Sequence, residues 1–149
     1  MINKFEGDYE FLSNFFFSPF SFKGIEYPTN EHFFQAMKTV DRNLQKAIAQ
    51  APTPGKAKRL GRQVNLIPDW ETIKDAVMYQ GLKLKFSDPI LKEKLLATGN
   101  EKLEEGNWWH DNFWGNCYCP KCKNIEGVNK LGKLLMLLRK ELKNEQSNM

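Results

Sequence analysis

The alternation of apolar and polar residues predicts short extended segments in the first third of the chain. Three segments have the composition of β-strands: Tyr9 to Leu12, Phe20 to Phe22 and Ile25 to Tyr27. Lys23-Gly24 supplies a turn between the last two segments. We therefore expect a small β-hairpin across Lys23-Gly24.

Helical periodicity dominates the rest of the chain. Apolar residues recur at spacings of three and four, and Thr, Asp and Pro stand where helices begin. The predicted helices run from Glu31 to about Val40, from Pro54 to Gly61 or Val64, from Trp70 to about Leu84, from Asp88 to Ala97 and from Val128 to Lys143. The sequence thus predicts an α+β fold, a predominantly helical single domain over 1–143 with a disordered tail over 144–149.

Composition and charge narrow the class of protein. The chain has 149 residues and a net charge of +4, which suits an anionic ligand and equally suits simple solubility. It contains no run of about 20 apolar residues, and Met1 to Asp8 lack the layout of a signal peptide. We expect a cytoplasmic protein that does not span a membrane.

The first predicted helix carries three polar residues on one face. Glu31, Gln35 and Lys38 are spaced by four and three, and the helix dipole favours an anionic Glu31 in the first turn. A solvated helix face explains the same pattern. A carboxylate with a nearby ammonium is also suited to stabilising a ribosyl cation.

The irregular segment from Gly99 to Asn124 is rich in aromatic residues. Glu105 and Asp111 lie among Trp108, Trp109 and Trp114, and apolar neighbours raise the pKa of a carboxylate, which suits a proton donor. An aromatic loop that only closes the core is the alternative.

Three cysteines fall within six positions near the end of this segment. Cys117, Cys119 and Cys122, together with His110, could hold a tetrahedral zinc ion, although the usual paired knuckles are absent. Reduced structural thiols are the alternative. We assign no metal to the reaction and leave zinc at these residues as an open alternative.

Basic residues cluster on the second predicted helix. Lys58 and Arg62 are four residues apart and share a helix face, and Lys56 and Arg59 lie beside them in the sequence. The N-terminus of a helix also attracts anions. The cluster indicates either a phosphate clamp or a solvated basic face.

Five motifs in order resemble those of the NADAR (YbiA-like) family. They are FLSNF at 11–15, NEHFFQAMK at 30–38, a middle signature from Gly61-Arg62 through Asp69-Trp70 to Lys85-Phe86, the segment from Thr98-Gly99 to Phe113-Trp114-Gly115, and GVNKLG at 127–132 with Leu135, Met136 and Arg139. The cysteine run is an insertion in this pattern.

The resemblance implies a mostly helical fold and hydrolysis of an N-glycosidic bond without a cofactor. It implies a phosphorylated ribosyl substrate, either a phosphoribosylaminopyrimidine intermediate of riboflavin synthesis or ADP-ribose on guanine bases of nucleic acid. The residues that it makes catalytic are Glu31, Lys38, Glu105 and Asp111. The resemblance implies that Trp70 and Trp114 shape the pocket. The residues that we expect to contact the substrate are Asn14, Gln35, Arg62, Trp70, Trp108, Trp114 and Gly115.

Two functions of other classes remain open. The chain could recognise ADP-ribose or an NAD derivative without cleaving it. It could also bind nucleic acid through its basic helix and a zinc-stabilised loop, with affinity that falls steeply as salt rises. The sequence leaves the oligomeric state open.

Overall fold

A computed structural model describes residues 1–148 of the chain. About half of these residues are helical, and the contacts divide them into two compact units. One unit is formed by residues 14–85, and the other combines residues 1–13 with residues 86–148. No helix in the described part of the chain is long and apolar enough to cross a membrane.

The unit of residues 14–85 begins with the predicted hairpin. Strands β1 (Phe20–Phe22) and β2 (Ile25–Tyr27) pair antiparallel, with Phe22 opposite Ile25. Four helices follow: α1 (Asn30–Ala36), α2 (Arg42–Ala49), α3 (Pro54–Gly61) and α4 (Trp70–Lys85).

The core of this unit forms where α1 packs against the hairpin. Phe33 is buried, and its ring makes edge contacts with Phe20, Phe22 and Tyr27 at centroid distances of 5.4 to 5.5 Å. Edge-to-face packing of this kind stabilises aromatic pairs beyond the area that they bury. Phe33 thereby fixes one face of α1, and the opposite face is left for polar residues.

The described residues of the second unit form short extended pieces, two α-helices and two 3-10 helices. They include α5 (Pro89–Ala97), the parallel strands β3 (Gly106–Asn107) and β4 (Asn116–Cys117), and α6 (Lys130–Ser147). Asp88 caps α5, because its carboxylate accepts hydrogen bonds from the N–H groups of Ile90 and Leu91. The α+β, mostly helical fold with one small antiparallel hairpin is as predicted.

The structure corrects the prediction for Tyr9 to Leu12. This segment belongs to a 3-10 helix, Gly7–Leu12, and not to a strand. The N–H groups of Tyr9 and Ser13 bond to the carbonyls of Glu6 and Glu10, three residues back, so local turns take up the backbone groups that a strand would share.

The first helix is shorter than predicted. α1 ends at Ala36 because the N–H groups of Lys38 and Thr39 bond to carbonyls three residues back, and Val40 is exposed. The unpredicted helix α2 then starts at its N-cap Asp41, whose carboxylate accepts from Asn43 and Leu44. The sequence did offer a signal for this helix, because Leu44 and Ile48 lie one turn apart behind the capping Asp41.

The last helix is displaced towards the C-terminus relative to the prediction. Asn129 has a left-handed φ of 54°, and the N–H groups of 128–131 bond to carbonyls of residues 112–115, so the helix begins at Lys130. It continues to Ser147, four residues into the segment predicted as a tail. Met149 lies outside the described residues.

Candidate functional site

The N-terminus of α1 holds Glu31 in a fixed position. Thr29 caps the helix by accepting a hydrogen bond from the N–H of His32, and the N–H of Glu31 donates to the carbonyl of Asn14 at 3.0 Å. Glu31 is 7% exposed and lies in the first turn, where the helix dipole favours its anionic form. Asn14 thus contributes to this site through its backbone.

The side chain of Gln35 is hydrogen-bonded to the Glu31 carboxylate. Gln35 Nε2 donates to Glu31 Oε1 at 2.8 Å, and both residues are buried. Because a carboxylate only accepts, this bond fixes which end of the amide faces Glu31. Among the described residues, Gln35 Oε1 has no hydrogen-bond partner.

Gly61 makes room for this arrangement. A Cβ atom at Gly61 would lie 2.0 Å from Gln35 Oε1, closer than any side chain tolerates. Any larger residue at this last position of α3 would displace the side chain of Gln35. This packing brings α3, with its basic residues, against α1.

Asn14 and Asn30 form a second polar contact beside Glu31. Asn30 Nδ2 donates to Asn14 Oδ1 at 2.9 Å, and both amides also approach the sulfur of Met78 at 3.4 Å. Asn30 is buried, and a Cβ at Gly81 would lie 1.9 Å from its Oδ1. Asn30 was not predicted as a site residue, although its place one residue before Glu31 in the motif was the available signal.

Lys38 lies just beyond the end of α1, stacked over aromatic rings. Its ammonium is 5.9 Å from the centroid of the Phe34 ring, and Phe34 packs on Trp70 at 5.1 Å. Trp70 is 5% exposed and packs against the Phe34 ring, and its contact with the substrate stays a prediction. An ammonium over a ring face gains cation–π attraction.

The electrostatic surroundings of Lys38 combine one anion with three cations. Burial lowers the pKa of Lys38, the Glu31 carboxylate raises it, and Arg62, Lys58 and Lys74 lower it further. These three cations repel the Lys38 ammonium, and an anionic ligand relieves that repulsion. Of the predicted basic cluster, Lys56 and Arg59 are exposed and are not among these neighbours.

Asp111 is part of a tight turn in the second unit. Its Oδ1 accepts hydrogen bonds from the N–H groups of Phe113 and Trp114 at 3.1 and 2.8 Å. The carboxylate therefore organises the loop locally, in the manner of an Asx turn. Asp111 is half-buried.

Asn107 links Asp111 to Glu105. Asn107 is 1% exposed, and its Nδ2 donates to Glu105 Oε2 at 3.1 Å and to the Asp111 carbonyl at 2.8 Å. A Cβ at Gly115 would lie 1.8 Å from Glu105 Oε2, so Gly115 gives this carboxylate its space. Asn107 was not predicted as a site residue, and its only signal in the sequence was its place between the two carboxylates.

The tryptophans of the loop differ in exposure. Trp108 and Trp109 are each 61% exposed, whereas Trp114 is half-buried and packs edge-on against Phe113 at 4.8 Å. Exposed indole rings in an ordered loop are available for stacking on a planar ligand.

His110 and the three cysteines converge in the same loop. The imidazole Nδ1 and the three Sγ atoms all lie within 4.8 Å of one another, and each of the three cysteines is buried. His32, by contrast, is a packed ring, with Nδ1 2.8 Å from Thr29 Oγ1 and Nε2 3.0 Å from the Ala51 carbonyl. Burial lowers the pKa of His32, as expected for a structural histidine.

The predicted site residues therefore fall into two groups. Those in residues 14–85 are Asn14, Glu31, Gln35, Lys38, Arg62 and Trp70, and those in the other unit are Glu105, Trp108, Asp111, Trp114 and Gly115. A shallow groove beside α5 is lined by Pro89, Lys92, Glu93, Leu96, Ala97 and Gln146 and includes no predicted site residue.

The chain matches known proteins over nearly its whole length. The model of the NADAR domain matches residues 2–143. The N-glycosidase YbiA of Shigella flexneri is 38% identical over 138 residues, which cover 91% of this chain and 82% of the relative. A riboflavin biosynthesis protein of Vibrio vulnificus is 35% identical over 135 residues, 89% of this chain and 35% of that protein.

The fold is also that of a solved relative. The NMR structure of the E. coli protein YbiA superposes with a TM-score of 0.83 and 34% identity, covering 100% of this chain and 90% of that one. The chain belongs to the NADAR family. The class of enzyme that this membership defines is a hydrolase acting on N-glycosidic bonds.

Proposed function

We propose that this enzyme hydrolyses a ribosyl–nitrogen bond in a phosphorylated, nucleotide-like substrate. The observation that carries the proposal is the buried Glu31 carboxylate, which is held by Gln35 and coupled to Lys38 within a group of cations. In this proposal the Glu31 carboxylate stabilises the positive charge that develops on the sugar ring, and the cations bind a phosphate group.

The reaction is a displacement by water at the anomeric carbon. The C1′–N bond breaks, its electron pair passes to the leaving nitrogen, which takes up a proton, and a water oxygen bonds to C1′ and loses a proton. The transition state resembles an oxocarbenium ion, so a fixed carboxylate lowers its energy. In this proposal Glu31 stabilises the cation or activates the water.

Lys38 and Arg62 bind the phosphate or the ribose oxygens. Lys38 is held over Phe34 and its charge is disfavoured by burial and by its basic neighbours, so a bound phosphate stabilises its protonated form. Two roles remain predictions from the sequence. Asp111 or Glu105 would protonate the leaving base, and the loop tryptophans would stack on that base. A route in which Lys38 forms a Schiff base with the opened sugar is an alternative that the same residue allows.

For the base, we propose a pyrimidine of a riboflavin intermediate. The support is that relatives such as the one from Vibrio vulnificus carry the name riboflavin biosynthesis protein. ADP-ribose attached to guanine, either as a nucleoside or in nucleic acid, is the second substrate class, and the basic group around Lys38 suits its phosphates equally.

The experiment incubates the purified protein with phosphoribosylaminopyrimidine intermediates and, separately, with ADP-ribosylated guanosine or DNA. Mass spectrometry follows the free base and the released sugar. Glu31→Gln is tested beside Glu26→Gln, which removes the same charge from an exposed position in β2. We expect Glu31→Gln to lower turnover by roughly 10²–10³ and Glu26→Gln to retain it.

The outcomes separate the alternatives. Turnover lowered less than roughly tenfold in folded Glu31→Gln would contradict the role of Glu31. Binding of ADP-ribose without cleavage of any substrate would favour a recognition module instead. Cleavage of the guanine adduct alone would replace the riboflavin assignment by removal of ADP-ribose.

A further inference from the structure

The four side chains at the end of the aromatic loop have the donor set of a structural zinc site. Zinc in such sites is bound by four ligands drawn from Cys and His, and three Cys with one His is a common combination. His110 contributes one imidazole nitrogen, and Cys117, Cys119 and Cys122 contribute three thiol sulfurs. The sulfurs are buried and His110 lies at the surface side of the cluster.

The distances agree with a tetrahedron around one ion. His110 Nδ1 lies 3.2 Å from the sulfur of Cys119, 3.5 Å from that of Cys122 and 3.9 Å from that of Cys117. With Zn–S of about 2.3 Å and Zn–N of about 2.0–2.1 Å, a regular tetrahedron separates nitrogen from sulfur by about 3.6 Å. The observed values scatter on both sides of that separation.

The backbone around the thiols is arranged for thiolate ligands. The N–H of Cys119 points at the sulfur of Cys117 at 3.4 Å, and such a donor stabilises negative charge on sulfur. Pro120–Cys122 form a 3-10 turn in which the N–H of Cys122 donates to the carbonyl of Cys119 at 3.0 Å. This turn brings the thiols of Cys119 and Cys122 close to each other and to His110 Nδ1.

A second layer of contacts positions the first thiol. Asn112 Oδ1 accepts a hydrogen bond from the N–H of Cys117 at 2.9 Å, and Cys117 is paired with Asn107 between β4 and β3. Metal sites depend on such outer contacts, which fix their ligands before the ion arrives. His110 reaches the thiols from a left-handed backbone conformation, φ 68°, which is uncommon for a residue other than glycine.

We propose that His110, Cys117, Cys119 and Cys122 bind one Zn²⁺ ion as a structural site. Binding replaces the thiol protons by the metal and releases them to solvent. All four positions of the tetrahedron are taken by protein atoms, so the ion holds the loop and has no open position for water or substrate. Three sulfurs and one imidazole suit zinc better than Mg²⁺ or Ca²⁺, which prefer oxygen.

The site restrains the segment that carries the predicted loop residues. His110 directly precedes Asp111, and Trp114 and Gly115 lie between the histidine and the first cysteine. Cys117 is in β4, so the ion ties the loop to the small parallel sheet. Loss of zinc should therefore loosen residues 107–123 while α5 and α6 keep their packing.

The first test measures zinc in the protein purified with a thiol reductant. We expect about one zinc per chain by mass spectrometry of the metal, retained through gel filtration. Cobalt replacing the zinc should give the visible d–d bands of a tetrahedral site and a thiolate-to-cobalt band in the near ultraviolet. Neither readout depends on the hydrolase activity.

Variants separate metal binding from folding. Cys119→Ser should lose zinc, and Lys121→Ala, in the same run but exposed and not a ligand, should keep it. His110→Ala removes the exposed ligand. Loss of an outer-shell contact lowers metal affinity by roughly 10–100-fold, and loss of the ligand itself in His110→Ala should lower zinc affinity by more than that. His110→Cys supplies a thiolate in place of the imidazole and should retain the ion.

Three results would overturn the proposal. One is reduced, folded protein with three titratable thiols, no zinc and no cobalt bands. Another is a native disulfide between two of the cysteines in place of metal. The third is unchanged zinc affinity in His110→Ala, which would remove the histidine from the site.

Discussion

Gln35 Nε2 donates a 2.8 Å hydrogen bond to Glu31 Oε1, and one turn of α1 separates the two residues. The bond holds a buried carboxylate in one orientation without neutralising it. A carboxylate fixed in advance stabilises a developing cation without reorganising during the reaction. This polar face of α1 is thus organised without any ligand.

Gly61→Ala tests this orientation without touching either residue. The new methyl group would lie 2.0 Å from Gln35 Oε1, so the amide must move and its bond to Glu31 should weaken. We expect a loss of turnover of at least roughly tenfold and a decrease in the free energy of unfolding of about 1–3 kcal/mol. Steady-state kinetics and urea unfolding measure the two effects.

Gly55→Ala is the matched control for this change. Gly55 lies in the same helix, α3, and a methyl group added there would have its nearest neighbouring atom 3.9 Å away. Alanine favours a helix over glycine by up to about 1 kcal/mol, so this variant should be as stable as the original or more so, and fully active. Equal turnover in the two variants would show that the Gln35 amide does not set the rate.

Lys38 should set the alkaline limit of activity. Burial lowers its pKa, so its proton is lost below the ordinary lysine value of about 10.4, and turnover that needs the ammonium falls as pH rises through the lowered pKa. Lys38→Arg keeps its charge at every accessible pH, so its alkaline limb should move upward or disappear even if turnover is reduced.

The control for Lys38→Arg is Lys46→Arg, at an exposed position of α2. Its profile of kcat/KM against pH should match that of the unsubstituted enzyme. An alkaline limb unchanged in Lys38→Arg would assign that limb to another group.

Asp111→Asn separates a structural role of the carboxylate from a chemical one. Asparagine keeps an Oδ1 that accepts from the N–H groups of Phe113 and Trp114, so the turn and the thermal stability should be retained. If Asp111 donates the proton to the leaving base, turnover should fall by roughly 100-fold or more. Asp88→Asn, at the N-cap of α5, changes the same charge and should leave turnover intact.

Asp111→Ala completes the comparison. It removes both hydrogen bonds, and we expect a cost of about 1–3 kcal/mol in the free energy of unfolding in addition to the loss of activity. Full turnover in Asp111→Asn with reduced stability in Asp111→Ala would limit Asp111 to shaping the loop.

Lys85 should make the stability depend on pH above neutrality. The side chain is 2% exposed, and burial lowers its pKa to about 7. Between about pH 7 and 10 the folded state has lost this proton while the unfolded chain still binds it, so the free energy of unfolding rises with pH, by at most about 1.4 kcal/mol per unit. Below about pH 7 both states are protonated, and the full cost of burying the charge remains.

Lys85→Met should remove this rise and stabilise the protein near pH 7, where the buried amine is costly. Lys83→Met, at an exposed position on the same helix, should leave the pH dependence unchanged. Chemical unfolding at several pH values measures both. A parallel pH dependence in Lys85→Met and the unsubstituted protein would contradict the lowered pKa.

The sequence predicted those elements that depend on residues close together in the chain. The turn residues Lys23-Gly24 and the caps Thr53 and Asp88 satisfy backbone groups within a few positions, so the hairpin, α3 and α5 followed from the sequence. Family motifs likewise marked Glu31 and Lys38. The helix α2 was missed although Asp41 caps it and Leu44 and Ile48 lie one turn apart. The 3-10 helix Gly7–Leu12 was missed because its short run of apolar and polar residues resembles that of a strand.

Tertiary structure alone decided the contacts between residues that are far apart in the chain. They include the contact of Gly61 with Gln35, the charges of Lys58 and Arg62 near Lys38, and the packing of Trp70 on Phe34. All three depend on how α1, α3 and α4 pack, which no local pattern specifies. The sequence determined which chemical groups this protein has and many of its helices. Packing decided which of those groups are buried and which share a charge environment, because burial and electrostatic coupling depend on distance in space and not on separation along the chain.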